Sequence, residues 1–495
     1  MLFFLALVPA RFLPAEDAVI LFQYSRNLAE HGAITFLAGG PHVEGATDFA
    51  WMVLVAGAMK FGVAPFWFCA AVNVVSLGVL GWLLLRMAGI RWSVGLALAI
   101  AGAAGLFPQM FAAAAGFAVL PDAVLLTLLV WWVVERRVTA AAFTAFVFCL
   151  FRPDGVVFAV PLLASLLIWP EEVRRSRVLL RLVWFVVPGV LYFVWRCHYF
   201  GELFPLPFLV KSDTPRVLGL LVPRSMKVSL MFLAFAGIVL ATLRLGTRIK
   251  IARLMVGLMV LPTLFYWTVR LDQNVGYRFF YYLPVATAIL IALNWPALQP
   301  HRVVVLRVAF GAWLVLLAMP LYRELRTFRD GQFVEVKGIA EELGRMPVRG
   351  TILTSEAGFL PYYSGWTTYD AWGLNTPEFA HRFFEAEDVG GLHADLVVLH
   401  PDRPERCVVE PDWEPNYAGR SWQHLTRNLS LGATASGYEL WLTSYGSEFY
   451  RQRKGWGYGE GDGECWFVRR GSPLYAGVVE VLQRHHAVSE GRATP

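Results

Sequence analysis

Residues 15–48 read AEDAVILFQYSRNLAEHGAITFLAGGPHVEGATD, a polar stretch between hydrophobic segments that opens on two adjacent acids, Glu16 and Asp17. The spacing of Leu21, Tyr24 and Leu28 predicts a helix from Asp17 with an apolar stripe, leaving Gln23, Arg26, Asn27 and Glu30 mostly on the other side. Asp17 heads that stripe, and Glu16 falls on the polar side because consecutive helical residues point about 100° apart. An inward carboxylate at a helix start beside a membrane costs several kcal/mol, roughly, unless it has partners or a task. Two chemistries are open to it: capping the helix, or accepting a proton as a general base.

A base is useful where cations wait for an anionic leaving group. Arg152-Pro153-Asp154-Gly155 lies between two apolar runs, and Arg196 and His198 end another. Lys211 lies in YFGELFPLPFLVKSD, and Arg270, Asp272, Asn274, Tyr277 and Arg278 share the next polar loop. Snorkelling or a lipid phosphate accounts for any single arginine. It does not account for cations gathered on the side that the orientation rule leaves poor in them; a buried anionic ligand does. The outer loops hold no DxD and no metal-ligand spacing, so no cofactor and no obligatory metal are expected. His31, His42 and His198 read as surface or hydrogen-bonding residues.

Hydrophobic elements must carry these groups. Of 495 residues, 57% are hydrophobic and only 16% charged, against roughly 45–50% and about 25% for a soluble domain. That composition describes a polytopic membrane protein with soluble mass attached. The net charge of +6 does not signal nucleic acid, because the basic residues cluster in short loops where membrane orientation explains them. Residues 1–14 are too short to span and read as the end of a first span. Residues 49–63 read as interfacial. Apolar runs follow at 65–85, 93–107, 117–134, 140–151, 156–169, 178–199, 225–243, 254–269, 279–295 and 303–321.

Arg86 and Arg91, Arg136 and Arg137, Arg174, Arg175 and Arg177, Arg244, Arg248, Lys250 and Arg253, and His301 and Arg302 fall at every second loop. They place those loops in the cytoplasm and the alternate ones, with everything after residue 321, outside. The expected architecture is a polytopic α-helical membrane domain over 1–321, with about eleven transmembrane helices and the outer loop 15–48, followed by an extracytoplasmic α/β domain over 322–495. In that domain an amphipathic helix is expected at 334–346, with strands at 351–355, 395–400, 438–443 and 465–469. Cys69, Cys149 and Cys197 read as packing residues, whereas Cys407 and Cys465 share the tail and could pair in an oxidising compartment.

The motifs resemble a family. EDAVILFQYSRNL, GAITFLAGG and VEGATD are similar to the first outer loop of GT-C class polyprenyl-phosphate-dependent glycosyltransferases. The closest group is that of cell-wall β-arabinofuranosyltransferases, with D-D-A-Y-I-x-F-R-Y-A-R-N-L, G-x-x-x-x-F-N-P-G and V-E-G-Y-T. Arg152–Gly155 resembles the family's R-P-E-G, Trp195 through Lys211 its W-R-x-x-Y-Y-G-x-x-x-P-N-T-x-x-x-K, and Gly276–Phe279 its G-Y-R-F. PYYSGWTTYDAWGLNTPEFAHR resembles the tail motif P-Y-Y-S-x-x-x-x-x-D-x-x-G-L-x-D. Three positions depart: Glu16 replaces an Asp, Leu206 replaces an Asn, and Gly116-Phe117 stands where an acid is usual.

The resemblance implies a multi-pass bacterial inner-membrane enzyme with its active site and tail on the periplasmic side. It would move a sugar, arabinofuranose by its nearest group, from a polyprenyl-phosphate donor to a glycan or glycolipid acceptor by inverting single displacement. Asp17 would be the general base, as its inward orientation also indicates. Glu16, Arg152, Asp154, Arg196, Lys211, Asp272 and Arg278 would bind substrate. Tyr362 and Trp372, with Tyr363, Trp366 and Asp370, would hold the acceptor, unless those aromatics are core. Membrane lipids are the remaining partner. A transporter or flippase of a lipid-linked sugar, or an inactive scaffold, fits the same spans, although no internal repeat of the transporter kind is present.

Overall fold

The computed structural model describes residues 13–90, 109–168, 175–212, 223–243, 249–268, 271, 275–329, 333–401, 407–410, 420–443, 464–485 and 487–489. The chain forms two compact units. One comprises Met1–Ala15, Thr47–Tyr199 and Val217–Arg326; the other comprises Glu16–Ala46, Phe200–Arg216 and Thr327–Pro495.

The first unit is helical. Among the described residues, Pro65–Met87, Arg175–Phe200, Lys250–Thr268 and Val275–Asn294 are long and apolar enough to cross a membrane. Phe49–Lys60, Val119–Val134, Val138–Phe151, Pro153–Ile168 and Met226–Thr242 are shorter apolar helices. The expected spans at 1–14 and 93–107 lie almost wholly outside the described residues. Small side chains let these helices approach closely: Ala141, Ala142 and Ala145 of Val138–Phe151 are fully buried. The polar Asn73 is tolerated inside Pro65–Met87 because its amide donates to the carbonyls of Cys69 at 2.8 Å and Phe117 at 3.0 Å.

The second unit is built on a six-stranded sheet of order β2-β1-β3-β5-β4-β6. The strands are β1 Thr351–Thr354, β2 Thr367–Asp370, β3 Leu396–Leu399, β4 Tyr438–Leu442, β5 Cys465–Arg469 and β6 Val488–Ser489. β1 pairs in parallel with β2 and β3, while β3–β5, β5–β4 and β4–β6 are antiparallel. All four residues of β3, LVVL, are buried, as suits a central strand covered on both faces. The amphipathic helix falls at Phe333–Leu343. The short polar segment TTYD hides β2 from a reading by hydrophobic alternation. Cys407 and Cys465 are disulfide-bonded, with their Cα atoms 5.6 Å apart.

The expected division at residue 321 differs from the observed one in two segments. Glu16–Ala46 and Phe200–Arg216 cluster with the tail. The first is held by polar contacts: the Tyr24 hydroxyl donates to Asn375 Oδ1 at 3.0 Å and accepts from the Gly45 amide at 3.1 Å. Gly45 must lack a side chain, since a Cβ there would lie 2.7 Å from the Leu374 carbonyl oxygen. The second segment is held by burial. Leu206 and Val210 of helix Leu206–Ser212 join Leu353, Val397, Phe467 and Leu429 in one hydrophobic core. That explains the Leu at 206: its side chain is core.

Candidate active site

The acidic pair opens helix Glu16–His31. Glu16 is the buried member, at 3% exposure, and Asp17 is only partly buried. This reverses the stripe argument, which turned Asp17 inward and Glu16 outward. The helix is enclosed on all sides here, and every residue from Ala18 to Tyr24 is buried. Its polar side chains hold the next loop instead of meeting water. Gln23 Nε2 donates to the Phe36 carbonyl at 2.8 Å, and Asn27 Nδ2 to those of Thr35 at 2.8 Å and Phe36 at 3.0 Å. The Glu16 carboxylate accepts from the amides of Gly358 and, at 3.2 Å, Phe359. Burial above all, then the charge of Glu356, holds its pKa well above the usual carboxylate range despite those two donors.

Three further titratable groups belong to this neighbourhood. Glu356 follows β1, His400 follows β3, and Glu464 precedes the antiparallel β5. They therefore share the carboxyl-end edge of the parallel strands, where open α/β sheets place ligands. His400 Nδ1 lies 3.2 Å from Glu464 Oε1, and the His400 amide donates to Ser355 Oγ at 3.0 Å. Burial first, with Glu464 and Asp17 adding and His400 opposing, pushes the Glu356 carboxyl up to about 8.

A folded pKa raised above the unfolded value of about 4.3 means the folded state keeps a proton that the unfolded chain releases. Stability is then fully present below about pH 4.3 and is lost as pH rises toward 8. Glu356→Gln is expected to flatten the fall in Tm between pH 5 and 8 by at least about 2 °C. Parallel wild-type and variant melting curves across that range would contradict it.

The tail aromatics divide. Trp372 is 5% exposed and lies in the hydrophobic core, in edge contact with Trp422 at 5.6 Å, so its expected role in substrate binding gives way to packing. Trp366 is buried, and its indole donates to the Leu343 carbonyl at 3.0 Å. Asp370 closes a turn: it accepts from the amides of Trp372 at 3.0 Å, Gly373 at 3.3 Å and Asn375 at 3.0 Å, and from Asn375 Nδ2 at 2.8 Å. Burial still pushes its carboxyl up to about 6. Tyr362 and Tyr363 are half-exposed. Arg26 lies 4.8 Å from the Tyr362 ring centroid and donates to that residue's carbonyl at 2.7 Å. Lys211, on Leu206–Ser212, is half-buried.

The arginines expected to bind substrate lie in the helical unit. Arg152 forms a fork on Asp154, Nε to Oδ1 at 2.9 Å and Nη2 to Oδ2 at 2.7 Å, and its Nη1 is 3.5 Å from Asp122. Tyr266 donates its hydroxyl to Asp154. Arg152 and Asp154 thus hold each other, and the guanidinium meets two carboxylates before any ligand. Arg278 follows a left-handed pair, Gly276 at φ 55° and Tyr277 at φ 57°, a conformation that costs a non-glycine residue and needs its surroundings to hold it. Its guanidinium lies 3.8 Å from the Phe117 ring centroid. Arg196 is 4% exposed and lies 5.8 Å from the Phe193 ring. Asp272 is outside the described residues.

Sequence reasoning passed over Asp122, concealed in an apolar run, and Glu356, His400 and Glu464, which are far apart in the chain. Gln109, buried at the start of Gln109–Ala114, finds no hydrogen-bond partner for either amide atom among the described residues. A buried unsatisfied amide is uncommon and adds Gln109 to the candidate ligand groups. Its signal in the sequence was a lone amide beside a long apolar run.

The fold has known counterparts. The crystal structure of ArnT from Cupriavidus metallidurans in the apo state aligns with TM-score 0.52 and 16% identity, over 79% of this chain and 89% of that one. The same protein bound to undecaprenyl phosphate aligns with TM-score 0.52 and 14% identity, over 81% and 91%. Residues 323–456 match a domain of unknown function, DUF8728. No curated protein matches the sequence significantly. The chain shares the fold of these ArnT structures, and four of its described helices are long and apolar enough to cross a membrane.

Proposed function

We propose that the chain is a membrane glycosyltransferase that takes a sugar from a polyprenyl-phosphate donor and passes it to a cell-envelope glycan or glycolipid. The observation that carries this reading is the ArnT-like fold, one relative of which was crystallised with undecaprenyl phosphate. The ordered motifs in the sequence make arabinofuranose the first sugar to test. They assign the reaction to the extracytoplasmic side of a bacterial inner membrane, where a disulfide such as Cys407–Cys465 is at home. About eleven spans and an outward tail complete the proposal.

The reaction is a single displacement. Asp17 accepts the proton of the acceptor hydroxyl as its oxygen attacks the anomeric carbon, and the bond to the phosphate oxygen breaks with inversion. Lys211, Arg196 and Arg278 are assigned to the phosphate, whose developing charge they neutralise. Arg152 and Asp154 act one step back, as a charge-paired support. Tyr362, half-exposed, is assigned to the acceptor. No metal and no cofactor enter the scheme.

Purified protein in detergent, given a panel of polyprenyl-phospho-sugars and acceptors, is expected to consume one donor and release polyprenyl phosphate, followed by mass spectrometry. A protein that leaves every donor intact yet relocates one across vesicles would be a flippase, and the proposal would fall.

A further inference from the structure

We propose that Glu16 is the positioning residue of the transfer site: it latches the first turn of the N-terminal helix onto the 358–359 backbone and so fixes its neighbour Asp17. The inference rests on the glycosyltransferase reading above.

The latch is built on both sides. Glu16 is buried, and its two oxygens take separate donors, the amides of Gly358 and Phe359. Gly358 leaves the space: a Cβ there would lie 2.6 Å from the Glu16 carbonyl oxygen, 2.7 Å from its Cδ and 2.8 Å from its Oε1. Distances that short admit only glycine, so the turn and the helix start are fitted to each other. The same helix is tied to the tail further along, by Tyr24 to Asn375 and by Arg26 to Tyr362. Those ties lie on later turns and keep the helix docked. Glu16 controls the first turn, where Asp17 projects.

The glutamate at this position then has a reason. An aspartate would retract the carboxylate by one methylene, about 1.5 Å, and leave two buried amides without their acceptor. Two neighbouring acids thus divide the work. The buried one is spent on structure, and the partly buried one is the proposed base. The tail becomes part of the machinery that aims the base.

The test pairs amide exchange with kinetics on the full-length protein. Glu16→Asp and Gly358→Ala are expected to exchange the 358–359 amides at least about tenfold faster. They should lower kcat by about 10- to 100-fold, as a misplacement near 1 Å does, while the KM for donor stays within about threefold. Glu16→Gln keeps the length and one acceptor oxygen and should recover most of the rate. Faster exchange with wild-type kcat would reduce the latch to architecture and overturn the proposal. So would weakened donor binding with unchanged exchange, which would make Glu16 a substrate contact. A wild-type protein that transfers no sugar sinks the functional reading itself, a failure told apart because the exchange difference persists.

Discussion

Asp17→Asn is expected to lower sugar transfer by roughly 100-fold or more while leaving a folded, membrane-inserted protein. Of the two neighbouring acids, Glu16 is occupied by the amides of Gly358 and Phe359. Asp17 is only partly buried, which suits the base role proposed for it. Asparagine keeps the size and the ability to cap a helix start about as well as aspartate does, so the fold has no reason to fail. What it removes is the proton acceptor, a contribution of roughly 10²–10⁴ in rate. The check is turnover of the donor alongside a melting curve of the same preparation. Near-normal turnover in the variant would leave Asp17 a helix cap and nothing more.

Much of this architecture was legible because membranes impose a coarse rule. Apolar runs and alternating basic loops mark spans without any knowledge of packing. The strands β1, β3, β4 and β5 announced themselves by short β-rich runs. β2 did not, because Thr367–Asp370 is polar and gains its place from pairing with β1. The acidic pair was visible, but its rotation was not. A periodic stripe identifies the buried face only when one side of a helix meets solvent or lipid, and this helix is enclosed from Ala18 to Tyr24.

Groups that depend on strand order were invisible for a different reason. Glu356, His400 and Glu464 become neighbours only because β1, β3 and β5 are adjacent in the order β2-β1-β3-β5-β4-β6. Nothing local in the chain encodes that adjacency. The aromatics near Asp370 misled in the opposite sense. Their motif suggests a sugar platform, yet Trp372 faces the same core as Leu206 and Val210. Residue type alone does not separate a stacking surface from packing.

Arg152→Ala is expected to destabilise the helical unit by about 3–5 kcal/mol, the cost of removing one partner from a buried ion pair. The arginine side chain is 8% exposed, Asp122 2% and Asp154 19%. With the guanidinium gone, Asp122 and Asp154 lose the cation they share, and the Tyr266 hydroxyl on Asp154 does not replace a charge. Arg152→Lys should fall in between, because an ammonium supplies the charge but not a planar fork that can bond both Asp154 oxygens at once. Asp122→Asn added to Arg152→Ala should recover part of the loss by removing one stranded charge. Thermal unfolding in detergent reads all three variants. If Arg152→Ala melts with the wild type and loses only donor affinity, the guanidinium is a ligand arm rather than a support.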